Sequence, residues 1–331
     1  MKPQSFEQIK EEIIESLESG RQNFIFLTGA AGTGKSTMLQ HIRNQLDLKK
    51  IVVAPTGIAA LNIGGSTINS AFRIGFDIIP EVTKSKDPRF SKLLKNLELL
   101  IIDEISMVRA PMLDAISETL QIHRKSTEPF GGVSILACGD LFQLPPVVRD
   151  HEENTIYSKY DSVYFFDAHS FKEFKDPIFF ELSKSFRQEE DKDFYNLLNN
   201  VRLGVNLDQT IDTINNRCYD PTLETEPFMT LTSRKNRAED INLHKLSHND
   251  NPEEVIVSKE FGELKENDLP APRELKIKKD AKVMFIKNDS EGRWVNGSVG
   301  IVIECLDKKK KCIKIKIDGK THKVEREEWK K

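Results

Sequence analysis

Phe24-Ile-Phe-Leu-Thr-Gly29-Ala-Ala-Gly-Thr-Gly34-Lys35-Ser36 is the stretch that decides how the rest of the chain reads. Phe24–Thr28 is a short apolar run of the kind that forms a buried strand. The loop after it has the full Gly-x4-Gly-Lys-Ser spacing of a phosphate-binding loop, and a helix is expected from about Gly34 to Leu46. Each residue type suits that chemistry. Across Gly29, Ala30, Ala31, Gly32, Thr33 and Gly34 the small side chains let backbone N–H groups converge on phosphate oxygens, helped by the dipole at the helix N-terminus. Lys35 would reach the β- and γ-phosphates and Ser36 would hold Mg²⁺, with Thr37 beside it in the first turn. The expected ligands are ATP and Mg²⁺.

Working outward, Ile51–Ala54, Leu99–Ile102 and Val133–Ala137 are further buried strands, separated by helical or loop segments. Strand and helix alternating in this way predict an α/β fold with a parallel sheet covered on both faces. Leu99-Leu-Ile-Ile-Asp103-Glu104 ends on two carboxylates. Asp103 suits the coordination shell of the metal, and Glu104 can accept a proton from attacking water. Pro111 then opens a helix at its favoured first-turn position.

Cys138-Gly-Asp-Leu-Phe-Gln-Leu-Pro-Pro-Val147 delivers a lone amide, Gln143, from the end of another strand, and Pro145-Pro146 stiffens the exit. Strand carboxyl ends are where open α/β sheets bind ligands, so Gln143 can bond a γ-phosphate or orient water. Asp140 is either its partner or a cap. Two more residues have competing readings. Gln8 stands three residues after Ser5, which makes a capping box. Arg187 is either a surface ion-pair residue or an arginine that stabilises transition-state charge.

The 331 residues leave room for two or three domains, and 38% apolar with 31% charged residues fits a water-soluble globular chain. No apolar stretch reaches membrane-spanning length and Met1–Gln8 is no signal peptide, so no membrane partner is expected and an intracellular location is. Cys138, Cys218, Cys305 and Cys312 lack paired metal-ligand spacing and read as reduced thiols. The net charge of −3 is unevenly spread. Residues 273–331 carry 18 Lys/Arg against 10 Asp/Glu, a balance of +8, which leaves −11 on residues 1–272. A basic end on an acidic body points to a polyanion partner.

Ile178–Leu182 looks like the opening of a second α/β unit, continued by helices near 190–203 and 207–217, a strand Phe228–Thr232 and a helix Arg234–His248. Beyond Pro270-Ala-Pro272, Lys282–Lys287, Val299–Leu306 and Cys312–Asp318 read as strands of a small antiparallel module. Turns are expected at Asp307–Lys311 and Asp318-Gly319. The polar stretch Asp77–Asn96, with Pro80 and Pro88, reads as an insertion.

Taken in order, the blocks resemble the Pif-family helicases, the five-prime-to-three-prime branch of helicase superfamily one that includes RecD-like enzymes. The resemblance rests on Gly29–Thr37, Ala54-Pro-Thr-Gly-Ile-Ala-Ala60, Gly65-Ser-Thr-Ile68, Ile101–Val108, Pro129-Phe-Gly-Gly132, Gly139–Val147, Ser185-Phe-Arg-Gln188, Leu231–Asn236, Ala281–Asp289 and Trp294-Val-Asn-Gly297. It implies a P-loop NTPase with two RecA-like domains, the first over 1–176 with a wedge insertion at about 77–96. Part of the second would span 177–252, and an SH3-like insertion and truncated end 253–331. It further implies an ATP-driven monomer moving on single-stranded or forked DNA, with Gln8 reading the adenine edge.

DNA contacts are implied at Pro55, Thr56, Gly57, Ser66, Thr67, Asn69, Phe72 and Pro145. Phe72 would stack on a base or serve as core, and Asn69 stands where the family usually has histidine. Two later family blocks, one like His-Lys-Ser-Gln-Gly and one like Ala-Leu-Ser-Arg, do not occur before Lys331, so a truncated or split gene product is expected. That leaves a nucleotide-dependent DNA-binding switch without unwinding as the alternative. A small-molecule P-loop kinase is disfavoured, since it leaves Gln143, Pro145-Pro146 and the basic module without a use.

Overall fold

The structure is a computed structural model that describes residues 5–184, 191–220, 222, 229–259, 261, 269, 271–307 and 312–328. Close contacts divide the chain into two units, Met1–Tyr219 and Asp220–Lys331.

The first unit is built on six parallel strands: β1 (Phe24–Gly29), β2 (Lys50–Ala54), β3 (Ser66–Thr67), β4 (Leu99–Ile102), β5 (Ser134–Cys138) and β6 (Ile178–Leu182), in the order β3-β2-β4-β5-β1-β6. The period-2 alternation of a strand explains why both faces need cover. Phe24 and Phe26, Leu100 and Ile102, and Ile135 and Ala137 enter one buried cluster. Their neighbours Ile25 and Leu27, Leu99 and Ile101, and Leu136 and Cys138 enter the other. Helix α1 (Phe6–Glu18) and α2 (Lys35–Gln45) cover the second face through Ile9, Ile13, Met38 and Ile42.

Two short helices follow β2: α3 (Gly57–Asn62), and α4 (Ile68–Phe72) after β3. α5 (Pro88–Lys95) and α6 (Ala110–Arg124) cover the first face, with α7 (Asp150–Tyr157) and α8 (His169–Lys172) beyond β5. α9 (Lys192–Leu203) and α10 (Leu207–Cys218) complete the unit.

Three sequence expectations change here. Ile178–Leu182 does not open a second unit: β6 pairs in parallel with β1, from Ile25↔Ile178 to Gly29↔Leu182. Only Phe180 and Leu182 of β6 are buried, as an edge strand requires. The stretch 77–96 is only partly an insertion, since its second half is α5, capped by Asp87 and burying Phe90 and Leu94 in the core. The strand expected at Phe228–Thr232 does not form over 229–232, and Phe228 lies outside the described residues.

The second unit holds α11 (Lys235–Ser247), an antiparallel pair β7 (Glu253–Val257) and β8 (Glu274–Lys278), and a four-stranded antiparallel sheet. That sheet runs β12-β11-β10-β9, from β9 (Lys282–Met284), β10 (Val299–Asp307), β11 (Cys312–Ile317) and β12 (Lys320–Val324). The Asp318-Gly319 turn forms as expected, with φ of 47° and 80°, the two positive values a type I′ hairpin needs. Val302, Cys312, Ile315 and Ile317 of this sheet are buried. Lys308–Lys311 of the other expected turn lie outside the described residues.

Candidate functional site

β1 delivers the phosphate loop at its carboxyl end. A Cβ on Gly29 would lie 2.5 Å from the Leu182 carbonyl oxygen on β6, so only glycine lets the chain leave the sheet there. Thr33, which is buried, closes the loop by donating its hydroxyl to Ala30 O at 2.9 Å. Gly34 caps α2, and Ser36 and Thr37 stand exposed in the first turn. Lys35 Nζ donates to Gly29 O at 2.7 Å and to Ala30 O at 3.1 Å, which folds the ammonium back over the loop. The backbone N–H groups of this turn and the ammonium form one electropositive cradle.

β4 lies two strands from β1, with β5 between them. Asp103 follows β4, is 5% exposed and accepts from the Glu104 amide at 3.0 Å. Burial pushes the Asp103 carboxyl above its ordinary range, against the pull of that amide, the Lys35 charge and the Cys138 thiol. Burial and the Asp103 charge push Glu104 up as well, with Lys35 opposing. Burial also drives the Cys138 thiol well up, so it stays a neutral donor to Asp103. Glu104 holds φ 52°, ψ 41°, a left-handed conformation that costs a non-glycine residue about 1–3 kcal/mol.

β5 ends at Cys138 and runs through Gly139 into Asp140, which is 1% exposed. Asp140 Oδ1 accepts from the Phe142 amide at 3.1 Å and Oδ2 from Gln143 Nε2 at 3.1 Å. Arg202 in the last turn of α9 supplies two more bonds, Nη2 to Oδ1 at 3.1 Å and Nε to Oδ2 at 3.3 Å. Burial pushes Asp140 up, but the Arg202 bonds, the two loop donors and the Arg202 charge outweigh it and hold the carboxyl below its ordinary range. Gln143 and Pro145 are exposed and Pro146 is buried. The amide is therefore presented on a stiff, anchored turn.

Most of the expected DNA-contact residues gather where β2 and β3 end: Pro55 and Thr56 follow β2, Gly57 opens α3, Ser66 and Thr67 form β3, and Asn69 lies in α4. Val53↔Ser66 and Ala54↔Thr67 pair, which brings Pro55, Thr56 and Gly57 beside Ser66, Thr67 and Asn69. Thr56 caps α3 by accepting from Ala59 N, and Thr67 caps α4 by accepting from Ser70 N, each at 3.3 Å. Asn69 Nδ2 donates to Ile74 O and Gly75 O, fixing the turn after α4.

Phe72 is a correction. Phe72 is 2% exposed, so it cannot stack on a base; α4 turns it inward, into the same buried cluster as Ile68 and Phe90. Gln8 forms both bonds of its capping box with Ser5, at 3.2 and 2.9 Å. Arg187 lies outside the described residues. Sequence reasoning missed Cys138 and Arg202. Arg202 stands 62 residues from its partner in an amphipathic helix, where nothing in the spacing distinguishes it from a solvated arginine.

A sheet wound in this order, with its phosphate loop on β1 and an acidic strand end two strands away, has the RecA-like arrangement of P-loop NTPases. Comparison with known proteins narrows the class: the PIF1-like helicase family model matches residues 3–212, and the chain belongs to that family.

Among its relatives, the ATP-dependent DNA helicase PIF1 of Saccharomyces cerevisiae (strain YJM789) is 34% identical over 319 residues, covering 90% of this chain. The chain spans 35% of the length of that yeast relative. A solved structure of the Bacteroides Pif1 helicase in complex with ADP-AlF3 and single-stranded DNA superposes with a TM-score of 0.83 at 35% identity, covering 98% of this chain and 76% of that one. A structure described as DNA unwinding at forked double-stranded DNA by two coordinating Pif1 helicases gives a TM-score of 0.82 at 35% identity, covering 99% of this chain and 77% of that one.

Proposed function

We propose that this chain carries the ATP-hydrolysing core of a five-prime-to-three-prime DNA helicase, which couples hydrolysis to movement along single-stranded or forked DNA. The observation that carries this reading is the gathering of Lys35, Asp103, Glu104 and Gln143 at the carboxyl ends of three neighbouring strands. In this arrangement Gly29–Thr37 cradle the phosphates, and Lys35 leaves its loop carbonyls to bond the β- and γ-phosphates. Glu104, its carboxyl pushed up by burial and by the Asp103 charge, is the base that takes the proton from attacking water. Gln143 senses the γ-phosphate, Gln8 meets the adenine, and Arg187 supplies transition-state charge.

The donor set fits Mg²⁺. The Ser36 hydroxyl and the Asp103 carboxylate are hard oxygen donors, and among the described residues no cluster of three or more His, Cys, Asp or Glu builds a separate metal cage. The ion when bound would neutralise charge on the phosphates.

Pro55, Thr56, Gly57, Ser66, Thr67 and Asn69, with Pro145, form the proposed DNA-facing edge, where hydroxyls and backbone amides suit phosphate contacts. The acting unit is proposed to be a monomer inside the cell. Among the described residues no helix is long and apolar enough to cross a membrane.

The test is ATP hydrolysis with and without a single-stranded oligonucleotide. Stimulation by DNA is expected, with Lys35→Ala reducing the rate at least about 100-fold. Unchanged hydrolysis in that variant would overturn the phosphate-loop assignment. Displacement of a strand from five-prime-tailed but not three-prime-tailed duplexes tests direction, and nucleotide-dependent DNA binding without displacement would favour a switch.

A further inference from the structure

Asp140 sits at the centre of a closed hydrogen-bond network. A carboxylate 1% exposed must have its charge and lone pairs satisfied, and its two oxygens have acceptor room for about four donors. All four positions are used. Two donors come from the loop that bears the amide, Phe142 N and Gln143 Nε2, and two come from Arg202 on α9. Arg202 also lays its guanidinium over the Phe142 ring, 4.5 Å from the centroid, and its own side chain is 18% exposed. Helix α9 therefore grips the Gln143 loop through charge, hydrogen bonds and stacking together.

We propose that Arg202 is a positioning residue for Gln143, acting through Asp140, so that the place of α9 sets whether the amide can recognise a γ-phosphate. This rests on the reading of Gln143 as the γ-phosphate sensor. With one N–H held by Asp140, the amide keeps its other N–H and its carbonyl in a fixed direction. That leaves one donor for a phosphate oxygen and one acceptor for a water. If α9 withdraws Arg202, the buried carboxylate loses two of its four donors and recruits whatever polar group remains. Of the two donors that remain, Phe142 N is fixed in the backbone and the Gln143 amide can rotate, so the amide turns further inward. Nucleotide state and helix position are thus read through the same carboxylate, and a bound γ-phosphate would in return favour the gripped position of α9.

The experiment measures binding of fluorescent mant-ADP and of a mant-labelled non-hydrolysable ATP analogue, both with Mg²⁺, to the 331-residue chain. Compared are wild type, Gln143→Ala, Arg202→Met, Arg202→Lys, the Gln143→Ala/Arg202→Met double variant and Lys35→Ala. The quantity read is the preference for triphosphate over diphosphate. We expect Gln143→Ala and Arg202→Met each to lower it by about tenfold, the worth of one charge-assisted hydrogen bond. The double variant should fall no further than either single one, and Arg202→Lys should recover part of the loss.

A merely structural arginine would weaken both nucleotides equally and leave the preference unchanged. That result beside a reduced preference in Gln143→Ala overturns the proposal alone, as does a double variant whose losses multiply. No effect of Gln143→Ala removes the sensor reading and this inference with it, while unaltered binding in Lys35→Ala removes the phosphate-loop reading. Should Arg202→Met prove too unstable to assay, Asp140→Asn removes the shared charge in nearly the same volume and carries the same expectation.

Discussion

At the scale of single residues the strand ends of the first sheet concentrate cost as well as chemistry. Glu104 combines a left-handed backbone with burial and a second carboxylate beside it, and the last two oppose an ionised side chain there. A carboxyl whose pKa rises on folding keeps its proton longer in the folded chain than in the unfolded one. The resulting loss of stability grows as pH rises past the unfolded value of about 4.3 and is complete above the folded value. Glu104→Gln should therefore lower kcat by about 10²–10⁴-fold and yet raise Tm at pH 7, with the gain shrinking toward pH 4. Thermal melts across that range, set beside turnover, check both halves. Turnover of the wild type should fall on the acid side at a pH above the ordinary glutamate value, because the base must be ionised to work.

Elements show a different balance. Gly65 leaves α3 for β3 so close to β2 that a Cβ would sit 2.3 Å from the Val52 carbonyl oxygen. Gly65→Ala should cost about 1–3 kcal/mol, read as a lower urea midpoint, because strand and loop must part to admit one methyl group. α5 is held to α6 by His123, whose ring is 1% exposed and packs edge-on against Phe90. Ser85 N donates to Nε2 at 3.4 Å, so Nδ1 carries the proton and donates to Ser91 Oγ at 3.0 Å. Burial, then the charges of Lys84, Lys95 and Arg73, hold this histidine below its ordinary pKa. Its contribution is complete above the unfolded value of about 6.5 and is lost as pH falls toward the folded one. The urea midpoint of wild type should approach that of His123→Gln between pH 7 and 5.

The strands at this scale were legible because their apolar runs are short, continuous and bounded by turn residues. Where a segment does two jobs the pattern misled. α5 hid inside a polar, proline-containing stretch, and Phe72, placed by a five-residue helix, has no period long enough to show which way it points.

For the molecule as a whole, Phe24 lies at the centre of an aromatic group with Phe130, Phe165, Phe171 and Phe174, ring centroids 4.8–6.5 Å away. Phe24→Ala should cost the first unit about 3–5 kcal/mol in urea unfolding, since no neighbour can fill the space without leaving its own rotamer. Residues 273–331, within the second unit, carry the positive balance. Lys314 and Lys323 are directly paired across β11 and β12, and Lys316 lies two residues along from Lys314 on the same face. If DNA runs over that face, affinity for a single-stranded oligonucleotide should fall linearly with log salt. Lys316→Glu/Lys323→Glu should weaken it at low salt and matter little at high salt.

The sequence by itself determined the sheet and the chemistry on its first four major strands, because a phosphate loop and a buried strand are local patterns of spacing, polarity and period. It also determined that Asp103, Glu104 and Gln143 would leave those strands at their carboxyl ends. Only the tertiary structure decided that Ile178–Leu182 joins the first sheet, that Phe72 fills its core, and that Arg202 closes the network around Asp140. Those outcomes depend on which surfaces meet over separations of tens to more than a hundred residues, and no local pattern encodes such a meeting. Gln143 carries the contrast in one residue: its spacing announced a polar group at a strand end with Asp140 as a candidate partner, and the fold alone supplied the arginine that closes the network around them.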